Sequence, residues 1–145
     1  MTATLCNEQQ TPGIPQQIAT RLAFFVAGLG MAAWAPLVPF AKARIGIDDG
    51  SLGLLLLCIG AGSMLAMPLT GFLTGKLGCR AVILMAGLGL CIDLPLLALM
   101  DSLGGMAVAL LLFGAAIGMI DVAMNVQAVI VERASGKAMM SGFHG

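Results

Sequence analysis

Near the end of the chain a long apolar run, Ser102 to Val131, contains an acid, Asp121, with Asn125 one helical turn beyond it. A carboxylate carried into hydrocarbon costs about 2.5–3.5 kcal/mol on insertion scales, so an acid in such a place is a functional candidate by default. Gly114, Gly118, Asp121 and Asn125 are spaced 4, 3 and 4 apart, which sets them on one face of a helix. The glycines admit a neighbouring helix and turn the polar pair toward protein or a cavity. A low-dielectric setting favours the uncharged form of a carboxyl, so proton uptake and release is the chemistry Asp121 could perform. Two other readings remain open: a base elsewhere in the protein pairs with it, or it lies near the membrane interface. Asn125 could bind a solute or bond to a neighbouring helix. Gln127 falls about 200° around from Asn125 and is expected to meet another helix.

Two further residues carry weaker signals. Asp93 stands in a third apolar run, two residues before Pro95. The expectation for it is structural: capping a turn loosened by the proline, or accepting a bond from another helix. Trp34, the only tryptophan, lies about 9 Å inside the outer end of the first apolar run. It could stack on a solute ring or pack against a helix. The cysteines Cys6, Cys58, Cys79 and Cys91 form no CxxC pair and no metal spacing with His144, so no metal or other cofactor is expected.

These residues need helices in lipid to position them. Hydrophobic residues make up 59% of the chain and charged ones 10%, against about 25% charged in a soluble domain. Basic and acidic residues balance at seven each, so no basic footprint for nucleic acid exists. Apolar stretches predict spanning helices near 19–41, 51–74, 80–100 and 104–131, after an unstructured polar tail over 1–17. The remainder, 18–145, reads as a partial transmembrane bundle, with a fifth helix starting after residue 140. Short connections make neighbouring helices antiparallel. Arg21, Lys76, Arg80, Arg133 and Lys137 then fall on one side and Lys42 and Arg44 on the other, which places the N-terminus in the cytoplasm by the positive-inside rule.

The junction between the second and third runs reads Gly71-Phe72-Leu73-Thr74-Gly75-Lys76-Leu77-Gly78-Cys79-Arg80. It resembles the cytoplasmic signature loop of the major facilitator superfamily, matching it at Gly71, Lys76, Gly78 and Arg80. Gly75 replaces the family's aspartate and Cys79 one of its basic positions, so the latch formed by that aspartate is in doubt here. Pro36-Leu37-Val38-Pro39-Phe40 and Ile45-Gly46-Ile47-Asp48 add a looser likeness to fucose-permease-type sugar–proton symporters. The resemblance implies an all-α membrane protein: four transmembrane helices, the first part of a twelve-helix bundle whose remaining helices lie beyond this fragment. It implies a secondary active transporter in the plasma membrane (the inner membrane of a bacterium), working on a small-molecule solute and protons by alternating access. Within it Asp121 is the proton-coupling candidate, Asn125 and Trp34 the substrate candidates, and membrane lipid the surrounding partner. A channel-like or non-transport membrane subunit is the alternative. A membrane-embedded enzyme ranks last, because neither HExxH nor a serine–histidine arrangement occurs.

Overall fold

The computed structural model describes residues 13–136 and 138–144. Most of the expected tail, Cys6, and Lys137 of the charge pattern therefore lie outside the described residues. The elements in order are α1 (Ile14–Trp34), a 3-10 turn (Ala35–Leu37), α2 (Val38–Ile45), α3 (Asp49–Leu77), α4 (Cys79–Leu99), α5 (Leu103–Ser135) and a short α6 (Met140–Phe143). The described residues include no strand. Four helical stretches, the first running from Ile14 through Ile45, are long and apolar enough to cross a membrane.

The ends of these helices follow from local chemistry. Residues 14–17, expected in the tail, are helical instead. Pro15 occupies the first turn, where its missing N–H is no loss, and Gln16 Oε1 accepts from the Gly13 N–H at 2.9 Å. Pro36 and Pro39 remove two backbone donors, and the first span passes there through a 3-10 turn. Asp48 caps α3, its carboxylate accepting from Ser51 N at 2.7 Å, and Ser102 caps α5 by accepting from Gly105 N at 3.2 Å.

The expected connection over Lys76–Arg80 shrinks to one residue. Gly78 alone joins α3 to α4, with φ at 82°, a conformation glycine enters without steric cost. At the other end of α4, the Arg44 guanidinium donates to the carbonyls of Leu97 at 2.9 Å and Met100 at 2.8 Å. Those carbonyls would otherwise lack partners, as the last four of any helix do. Arg44 thereby ties α2 to the C-terminus of α4, while Lys42 pairs with Asp49 across the following turn.

α5 is the central helix, packed along α3, α4 and α1. Its contact with α3 is parallel: Gly114 faces the Ile59 backbone, and Gly118 faces Ser63 one turn later. A Cβ built on Gly114 would stand 2.0 Å from the Ile59 carbonyl oxygen, and one on Gly62 2.0 Å from the Leu111 carbonyl oxygen. Only glycine on both helices permits that approach. Of the two GxxxG pairs, Gly114 and Gly118 thus pack inside one bundle, whereas Gly71 and Gly75 face open space. The core gathers Val82, Leu97, Met106, Leu110, Phe113 and Ile120. Outside it, Phe25, Leu57, Leu88 and Leu112 are more than half exposed, an apolar surface that suits lipid.

Candidate functional site

Asp121 lies 18 residues after Leu103 and 14 before Ser135 on a helix of 33 residues. At the helical rise the whole of α5 is about 50 Å long, against a hydrocarbon core of roughly 30 Å. Asp121 is about 27 Å from one end and 21 Å from the other, so every placement of the core along an upright α5 includes it. Those placements carry Asp121 from about 3 Å inside the core edge to its middle, so the interfacial reading stays open beside the buried one.

On this helix Asp121 is exposed and Asn125 half-buried. Asn125 Nδ2 donates to the Asp121 backbone carbonyl at 2.9 Å and to its carboxylate Oδ1 at 3.2 Å. The side-chain bond is long for one to a carboxylate, and the second oxygen has no protein partner among the described residues. Gly114 and Gly118 of the same face are covered by α3, but the acid–amide pair one turn further is left open. Gln127 points elsewhere, lining a cavity with α1 and α4, in line with its offset around the helix.

Trp34 is not brought to this pair. Its indole is 4% exposed and tilts against Phe113, ring centroids 6.5 Å apart. Phe113 precedes Asp121 by eight residues on α5, an axial offset of about 12 Å. Indole Nε1 finds no acceptor among the described residues. The packing role is the one this geometry supplies, and a solute could reach Trp34 only if the core opened.

Asp93 is 4% exposed, in the wall of a groove between α4 and α5 shared with Gly89, Ala115 and Ala116. Neither carboxylate oxygen has a partner among the described residues. The proline-loosened turn and the neighbouring helices of this chain therefore do not supply the bonds expected for it.

The signature segment is mostly helix. Gly71, Lys76 and Gly75, which stands where the family has aspartate, belong to the last turns of α3, and Arg80 to the first turn of α4. Lys76 Nζ sits 4.3 Å from the Phe72 ring centroid, a cation–π contact one turn apart. Sequence reasoning missed Glu132. Its Oε2 accepts from the backbone N–H groups of Met139 at 2.6 Å and Met140 at 2.7 Å, closing the turn that starts α6. An acid eight residues before the next helix was the available signal.

Comparison with known proteins places this arrangement in a family. No family model matches the chain, and no solved structure does. An uncharacterized MFS-type transporter of Yersinia pestis is 74% identical over 145 residues, all of this chain and 38% of the relative. An uncharacterized transporter of Sinorhizobium fredii is 35% identical over 83% of the chain and 32% of the relative. The membrane protein MosC of Rhizobium meliloti is 35% identical over 88% of the chain and 31% of the relative. The chain thus spans about a third of the length of the curated relatives it matches. With four apolar helices, a signature segment at the α3–α4 junction and this degree of identity, the chain belongs to the major facilitator superfamily.

Proposed function

We propose that the chain supplies the first four membrane helices of a secondary transporter that moves a small solute by alternating access, coupled to protons through Asp121. The observation that supports this best is an acid–amide pair, Asp121 and Asn125, within the apolar length of the most enclosed helix, with Asp121 exposed on its surface. Lipid is a costly neighbour for that pair, so a water-filled cavity or further helices must meet it. A cavity is what alternating access requires, and two of the relatives are named as transporters. Asn125 holds the Asp121 side chain and offers its amide oxygen to a solute.

The test is transport by the full-length protein in proteoliposomes, screened with monosaccharides and followed by an internal pH dye. Solute-driven proton entry is expected for the parent. Asp121→Asn keeps the shape but cannot ionise, so proton entry and uphill accumulation should vanish while solute exchange survives. Equal accumulation by Asp121→Asn would remove the coupling role. Solute passing with no exchange acceleration would point to a channel instead.

A further inference from the structure

At the end of the bundle where α1 and α4 begin and α5 finishes, a cavity of about 390 Å³ opens between them. Gln16 and Thr20 of α1, Arg80 of α4 and Gln127 of α5 provide its polar groups, and Ile83 and Leu84 its apolar wall. The transport reading uses none of them.

The groups available are donors. Among the described residues Arg80 has no hydrogen bond or ion pair, and its side chain is exposed. Gln16 spends its amide oxygen on the Gly13 N–H, which leaves its NH₂ free to donate. Thr20 is already committed, its hydroxyl donating to the Gln16 carbonyl at 2.8 Å. Among the described residues, the one side-chain acid near this end, Glu132, is engaged with the Met139 and Met140 amides. A guanidinium fork with amide donors beside it matches a phosphate better than a carboxamide or sugar, because the fork meets two oxygens at once.

The depth profile adds a second requirement. Arg80 and Gln16 stand in the first turns of apolar helices, the ends that meet the membrane surface if these helices span it, while Ile83 and Leu84 lie about 5–6 Å further along by the helical rise. Leu84 is 56% exposed. Polar above and apolar below, along the membrane normal, is the profile of a headgroup over its acyl chains. We infer that the α1–α4 cavity binds the phosphate of an anionic membrane phospholipid, with Arg80 as its charged ligand and Gln16 and Gln127 as amide donors. The inference rests on membrane embedding and on this cavity facing lipid in the full-length protein, and stands whether or not the protein transports protons.

The test uses the full-length protein in a neutral detergent, titrated with short-chain phosphatidylglycerol or phosphatidylcholine and read by native mass spectrometry. Phosphatidylglycerol should bind in preference to phosphatidylcholine, and millimolar inorganic phosphate should not displace it. Arg80→Gln should weaken binding roughly fivefold or more, the usual weight of one basic residue at an anionic surface. Arg80→Lys keeps the charge but loses the fork, so its affinity should fall between those of Arg80→Gln and the parent. Lys76→Gln, whose parent ammonium lies over Phe72 and outside the cavity, should leave it unchanged. Equal binding of the two lipids, or equal binding by Arg80→Gln, would overturn the site. Displacement by inorganic phosphate would assign it to a free anion and overturn the lipid assignment.

Discussion

Asp48 illustrates how one side chain can set where a membrane helix starts. Its carboxylate accepts from the Ser51 N–H, which holds its pKa below the usual carboxylate range. A pKa lowered in the folded state means stability that is present above the unfolded value, about 3.9, and lost as pH falls through the folded one. Asp48→Asn keeps an oxygen able to cap and removes the charge. Thermal melts of the detergent-solubilised protein from pH 7 down to 3 should show a shallower acid loss for Asp48→Asn than for the parent. An identical acid limb would assign the loss to other carboxylates, Glu132 first among them, since its oxygen also accepts two amides. Asp121 and Asn125 stood out in the sequence because a polar break in an apolar run is local, whereas the cap at Asp48 was not read from it. Arg44 was not legible, because its partners Leu97 and Met100 are more than fifty residues away and are backbone carbonyls without any sequence signature.

Helices in lipid gain little from hydrophobic burial against one another, so close packing at small residues must hold them. The α3–α5 contact is the clearest case, with Gly62 and Gly114 each lying under the other helix's backbone. Gly114→Ala sets a methyl where the Ile59 carbonyl already is, and overpacking of this kind costs about 1–3 kcal/mol. A lower melting temperature in detergent is expected. Gly71→Ala meets open space and should be neutral or slightly stabilising, given glycine's cost of about 1 kcal/mol inside a helix. Equal destabilisation by both would mean that glycine acts here through chain flexibility and not through contact. The sequence predicted the four spans because hydropathy over twenty residues is a strong signal. It could not separate the two GxxxG pairs, since the partner that makes Gly114 close-packed and leaves Gly71 open is known only from tertiary structure. It also overestimated the α3–α4 connection: the charges of Lys76 and Arg80 suggested a loop, whereas both sit on helical turns flanking Gly78.

At the scale of the whole molecule the charges sort by end. Arg21, Lys76, Arg80 and Arg133 gather where α1 and α4 begin and α3 and α5 finish, and Lys42 and Arg44 at the opposite end beside Asp48 and Asp49. Basic residues near short loops are retained on the cytoplasmic side, so the first group is expected there. Cys79, in the signature segment, is 1% exposed and cannot serve as a labelling site. Gly75 and Asp101 can, since both are exposed, on opposite ends of the bundle, and a side chain at Gly75 meets nothing within 4 Å. In a background with the native cysteines replaced, Asp101→Cys should react with a membrane-impermeant maleimide added to intact cells. Gly75→Cys should react only after the membrane is permeabilised. The reverse pattern would invert the topology and place the α1–α4 cavity with Arg80 in the outer leaflet. The lipid inference would survive that result, because it depends on which helix ends share a surface, whereas a positive-inside reading of this chain would not.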